Sequence, residues 1–159
     1  MRSSVWGLVP LFFVPYTTGC GPNTNVSAPD RTTALRISDL FMSDLIADHL
    51  DVAADKMGQK FIDAAGGKPK AEEKIRELMN YCGRPLESEL RHEETGVWVY
   101  TDGRSPAPLR MFVYSGKTTQ NQKGVCFFAV RIVAGKNGAE LINFGPLKLT
   151  SGELPEWAR

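Results

Sequence analysis

Histidines and cysteines, the side chains most used in acid–base, metal and nucleophilic chemistry, number two and three among these 159 residues, and they stand apart. The two histidines are His49, in the stretch DHLD beside Asp48 and Asp51, and His92, between Arg91 and Glu93. A metal centre usually takes three protein ligands at defined spacing, and neither histidine has a second His or a Cys at helical or turn distance. Both read as surface residues, and no metal or cofactor is expected. A general acid or base needs a buried group poised by its neighbours. Asp44, Asp48, His92, Tyr100 and Tyr114 are the positions where such a group would be sought, and no catalytic role is assigned to any of them. There is no Gly-x-Ser-x-Gly elbow, and neither histidine stands in a recognisable nucleophile context.

The thiols are Cys20, Cys82 and Cys126. Cys20 stands in PYTTGCGPN (15–23), just after the most hydrophobic run of the chain. Arg2 precedes the uncharged stretch VWGLVPLFFVPY (5–16), and Thr17, Thr18 and Gly19 lead up to the cysteine. A basic start, a short apolar stretch and small residues are the order of a secretory signal. A bilayer span needs about 20 apolar residues, and Pro10 and Pro15 interrupt this one, so cleavage is expected instead of a permanent helix. The stretch resembles bacterial lipoprotein signal peptides, which end in an aliphatic residue, two small residues and a cysteine that becomes the lipidated N-terminus. Thr18, Gly19 and Cys20 match that pattern; Thr17 stands where Leu is usual. The resemblance implies lipidation at Cys20 and the membrane as partner through the anchor, and Gly21 in place of Asp is compatible with a Gram-negative outer membrane. A single lipid chain anchors only marginally, whereas mature lipoproteins of this type are multiply acylated. The alternative is an unlipidated cysteine near an ordinary export site, giving a soluble periplasmic or secreted protein.

These readings divide the chain into a signal peptide (1–19), a lipidated N-terminus and flexible tether (20–32), a folded domain (33–149) and a C-terminal tail (150–159). Turn formers fill GPNTNVSAPDR (21–31), as in a tether. Asn25-Val26-Ser27 fits the glycosylation pattern, but a bacterial lipoprotein would use it as spacer. Nineteen basic residues against 18 acidic ones, interspersed along the chain, exclude an electrostatic nucleic-acid binder. There is also no polybasic stretch, phosphate loop or internal repeat.

The elements that must hold these residues read as helices first. Ile37, Leu40, Phe41 and Leu45 recur at helical spacing. DHLD (48–51) looks like a kink in which Asp51 can cap a second segment bearing Val52, Met57, Phe61 and Ile62, ended by Gly66-Gly67. A further helix starts near Pro69, buries Ile75, Leu78, Met79 and Cys82, and closes at Gly83. The period then becomes alternating. LESELRHE (86–93) reads as an edge strand, with GVWVYT (96–101) a second strand or its continuation past a bulge at Gly96. LRMFVYSG (109–116) follows. GVCFFAVRIVA (124–134), apolar on both parities, reads as a central strand covered on two sides. Asn137-Gly138 signals a hairpin into AELINFGPLKL (139–149). In the tail, Trp157 is expected to pack back on the body.

Helices followed by a meander predict an α+β fold: N-terminal helices packed on a curved antiparallel sheet of four strands, or five if the Gly96 break is real. Three features, the kinked helix around DLIADHLDVAADKM, the helix closing in YCGRP and the strand run ending in INFGPLKL, resemble the cystatin-like, nuclear-transport-factor-like cone fold. In that fold the sheet curls round the helices and leaves a cavity, where some relatives bind apolar ligands and others place an Asp, His or Tyr for isomerisation or hydrolysis. Trp98, Tyr100, Phe112, Tyr114, Phe128 and Phe144 can share one sheet face by the two-residue period. With Asp44, Asp48 and His92 they form the candidate cavity set, to be weighed against plain core packing. Helix and strand pack together in such a fold, so a Cys82–Cys126 disulfide becomes an option beside two buried thiols. Two functions remain open: an envelope protein that binds a small apolar ligand or a protein partner, and a small isomerase or hydrolase of the same fold.

Overall fold

The structure, a computed structural model, describes residues 27–101, 105–135, 138–147 and 155–158. The signal stretch, Cys20, the tether up to residue 26 and Asn137 of the expected turn lie outside the described residues. Helix α1 (Arg31–Ile46) begins inside the stretch read as tether, because the Asp30 carboxylate caps it by accepting from the Thr33 N–H at 2.9 Å. That hydrogen bond also holds the exposed Asp30 carboxyl below its usual range. The buried stripe of α1 is Ala34, Ser38, Phe41, Met42 and Leu45, spaced at three, four and one residues. Leu40, expected on that stripe, is half exposed.

The chain turns at Asp48, the one described non-glycine residue with positive φ (63°). Helix α2 (Leu50–Lys56) follows with His49, not Asp51, at its N-cap; Asp51 lies in the first turn. The segment expected to run on to Gly66 is broken at Met57-Gly58. Met57 is extended and bridges Leu141, and the Gly58 N–H donates to the Leu141 carbonyl at 2.6 Å. A second short helix, α3 (Gln59–Ala65), then ends on Gly66 and Gly67, whose φ values of 92° and 110° only glycine adopts without strain. Their N–H groups cap the Ile62 carbonyl. Helix α4 (Lys68–Met79) has Pro69 in its first turn and buries Ala71, Ile75 and Met79 at four-residue spacing.

Four strands, β1 (Glu89–Trp98), β2 (Ala107–Gly116), β3 (Cys126–Gly135) and β4 (Gly138–Pro146), form one antiparallel sheet in the order β1-β2-β3-β4. The fold is therefore α+β with the helices preceding a four-stranded sheet. The two segments on either side of Gly96 are a single strand, and its irregularity lies between Leu90 and His92, not at Gly96. A second irregularity in β4 sets Asn143 opposite Arg131 and Leu141 opposite Ile132. The extra residue, Ile142, goes with Leu109 and Val133 to the face away from the helices.

Both faces of β2 and β3 are buried. Phe112, Tyr114, Cys126, Phe128, Val130, Ile132, Leu141 and Phe144 pack with the helices in one core. Met111, Val113 and Ala129 form a second cluster on the opposite face with Phe127, Leu147 and Trp157, so Trp157 does fold back on the sheet. This two-sided burial explains why β3 lacks a polar-apolar alternation.

Candidate functional site

Register decides which of the candidate aromatics meet. Phe112, Tyr114, Phe128 and Phe144 share the helix-facing side. Phe144 stacks on Phe128 with ring centroids 5.9 Å apart and meets Phe41 of α1 edge-on at 5.2 Å. Each such buried side chain contributes roughly 1.5–3 kcal/mol by leaving water. Trp98 belongs to the other face. It pairs with Ala107 across the ladder and packs against Leu109, Val133 and Ile142. Tyr100 lies past the end of β1, with the Lys60 ammonium 5.3 Å from its ring centroid. The expectation of six aromatics on one face is thus corrected to four, because the β1–β2 pairing sets Trp98 beside Leu109 and not beside Phe112.

Tyr114 is the member of the set with a polar group in the interior. Its hydroxyl lies 2.8 Å from the Ser38 hydroxyl and 2.7 Å from the Asp39 carboxylate. An ionised carboxylate only accepts, so Tyr114 donates to Asp39 and its oxygen accepts from Ser38. Burial raises the pKa of the phenol. The phenol is a structural link in neutral form, shifted away from what a proton acceptor near neutrality requires.

The remaining candidates go to separate places. Asp44 on α1 forms an ion pair with Lys56 on α2. Asp48 sits at the α1–α2 corner, with Arg84 Nε 3.9 Å from its carboxylate, and Arg84 also donates to the Ile46 carbonyl. His49 is exposed. His92, read as a surface residue, is partly covered: it lies on the outer sheet face with its ring stacked on Trp157 at 5.1 Å and Nε2 3.8 Å from Glu94. Asp44, Asp48, His92 and Tyr114 do not converge on a common point.

Cys82 and Cys126 are joined by a disulfide, with Cα atoms 6.3 Å apart. Cys82 lies past the end of α4 and Cys126 opens β3, so the bridge ties the helical layer to a central strand. Thr118 donates to the Cys82 carbonyl and steadies the turn.

Two polar features were not anticipated. Glu93 of β1 accepts from Arg110 at 2.5 Å and from Arg31 at 2.7 Å, and Arg110 donates also to the Pro29 carbonyl at 3.1 Å. Nothing in the sequence spacing brings these residues together. Arg131, by contrast, stands in the otherwise apolar stretch FFAVRIVA, which was a legible signal of a buried cation. It is 6% exposed, and burial lowers its pKa.

Among the described residues, two clefts border the helical layer, the smaller also reaching Thr119 and Gln120 between β2 and β3. The larger, about 540 Å³, runs between α3 and α4 along Phe61, Ala65, Lys70 and Glu73. The smaller, about 250 Å³, is bordered by Asp48, Arg76, Asn80 and Arg84. Of the candidate cavity residues, only Asp48 lines either cleft. Among the described residues, no group of three or more His, Cys, Asp or Glu is placed to hold a metal, and no helix is long and apolar enough to cross a membrane. Compared with protein-family models, curated proteins and solved structures, the chain gives no match.

Proposed function

We propose that this chain is an exported, lipid-anchored envelope protein, outer-membrane in a Gram-negative host, whose cone-like α+β domain works by binding and not by catalysis. The observation that carries export is the Cys82–Cys126 disulfide. Such bridges persist in oxidising compartments and are rare where thiols are kept reduced. With these two cysteines joined, Cys20 is left as the thiol free for lipidation, in the sequence context of a lipobox.

Binding is supported by how the candidate acid–base groups are used. Asp44 is committed to Lys56, Asp48 faces Arg84 at a helix corner, and Tyr114 is held neutral between Ser38 and Asp39. A cone-cavity isomerase or hydrolase would need one of these groups beside a bound substrate with its pKa displaced toward neutrality. The helix-facing aromatics are engaged with one another and with Phe41, which favours a protein partner over a small apolar ligand held inside.

Metabolic labelling with an alkyne fatty acid, comparing the wild-type chain with Cys20→Ser, tests the anchor. Label on the wild type and its loss in the variant are expected; label that survives the substitution overturns the proposal.

A further inference from the structure

We propose that the outer face of the sheet is a docking site for an extended, carboxylate-bearing segment of a partner protein, and that the chain's own C-terminal turn partly occupies it. The inference rests on the reading of the domain as a binding module and is independent of the lipid anchor. Cross-strand pairing sets Glu94, Met111, Arg131 and Asn143 in one row across the four strands. On one side of the row lie Leu109, Val133 and Ile142 with Trp98, and on the other Val113 and Ala129 with Phe127 and Trp157. Arg131 is the cation between these two apolar clusters.

The guanidinium of Arg131 is only partly satisfied. One terminal nitrogen donates to Asn143 Oδ1 at 2.9 Å, while Nε is buried with no hydrogen-bond partner. No carboxylate among the described residues forms an ion pair with it. A buried cation without a counter-charge is disfavoured, and the planar guanidinium fork matches a carboxylate better than any other side-chain acceptor. Charge complementarity therefore defines the missing group as an anion delivered from outside the sheet.

This face is already buried, Val113 and Ala129 fully and Arg131 to 6% exposure, so a partner must displace what covers it. The three-residue turn Glu156–Ala158 seats Trp157 against His92, at 5.1 Å and nearly parallel, and edge-on to Phe127 at 5.7 Å. The turn's own hydrogen bond, from the Ala158 N–H to the Pro155 carbonyl, is internal to it. Its one described acidic side chain, Glu156, is exposed and does not reach Arg131. The resident segment thus fills the aromatic seat and leaves the cation unmet. A partner segment that supplies both an aromatic ring and a carboxylate would displace it. Residues two apart along an extended chain are separated by about 7 Å, close to the step from the Val113–Ala129 seat to the Arg131 row, so the carboxylate belongs two positions from the aromatic.

The test titrates the full chain with a fluorescein-labelled, amidated peptide GEGWGEG, which carries Glu two positions either side of Trp. Trp157→Ala is expected to bind it about ten-fold or more tightly than wild type, because the competing ring is gone. The peptide GQGWGQG is expected to bind that variant about ten-fold or more weakly, and adding Arg131→Gln to Trp157→Ala should produce the same loss for GEGWGEG. Equal affinity of wild type and Trp157→Ala, or equal affinity of the two peptides, overturns the proposal. The peptide pair decides the question even if the Arg131 variant fails to fold. Failure here leaves the anchor reading, tested at Cys20, untouched.

Discussion

Tyr114 in β2 and Asp39 in α1, 75 residues apart in sequence, meet through a 2.7 Å hydrogen bond that ties the first helix to the centre of the sheet. With the Ser38 hydroxyl completing the set, the one phenol among the described residues that is buried on the helix-facing side has both its donor and its acceptor used. Tyr114→Phe keeps the ring and removes the link, leaving the buried Ser38 hydroxyl without this partner. The expected loss of unfolding free energy is about 1–3 kcal/mol, read from urea titration at neutral pH.

The same pair predicts an alkaline limit. The Tyr114 pKa is raised above its ordinary value of 10.0, mainly by burial. The unfolded state therefore releases this proton at lower pH than the folded state. Its contribution to stability is fully present below pH 10 and is lost progressively as pH rises above it. Thermal unfolding should fall more steeply above pH 10 for wild type than for Tyr114→Phe; parallel curves would contradict the assignment.

Much of this architecture was legible in the sequence, and what was not has identifiable causes. Helical spacing located α1 and α4, the change to a two-residue period located β2, and the run apolar on both parities located β3. The break between α2 and α3 was missed because it depends on a distant contact: Met57 and Gly58 leave helical geometry to pair with Leu141. Leu40 has the right spacing for the buried stripe, but Met42 and Ala34 set that stripe instead. Trp98 was placed on the wrong face because alternation fixes sides within a strand, whereas register between strands is set by pairing. Arg131 in an apolar run was the one overlooked signal with a local cause.

Removing the disulfide tests how far it holds the layers together. Cys82 and Cys126 are separated by 44 positions. Closing a loop of that size stabilises by roughly 4 kcal/mol in the chain-entropy model. The Cys82→Ala, Cys126→Ala double variant should lose about 2–4 kcal/mol in urea unfolding, and a reducing agent should lower the wild-type midpoint but not that of the variant.

Gly83 follows the bridge with φ of 89°, and an added Cβ would stand 2.8 Å from the Gln120 nitrogen and from Thr119 Oγ1. Left-handed strain alone costs about 1–2 kcal/mol for a residue with a side chain. Gly83→Ala should therefore destabilise by at least that much in denaturant titration, whereas Gly96→Ala, where the same added atom meets nothing within 4 Å, should be much milder.

The central claim, an exported and lipid-anchored domain stapled by one disulfide, is tested most directly by intact-mass spectrometry. The protein would be isolated from the cell envelope under non-reducing alkylation. The predicted mass corresponds to loss of residues 1–19, addition of acyl groups at Cys20 and no alkylated thiol at Cys82 or Cys126. Retention of residues 1–19, or a mature chain beginning near Cys20 without acyl mass, would contradict the anchor. Alkylation of both Cys82 and Cys126 would contradict the bridge on which export rests.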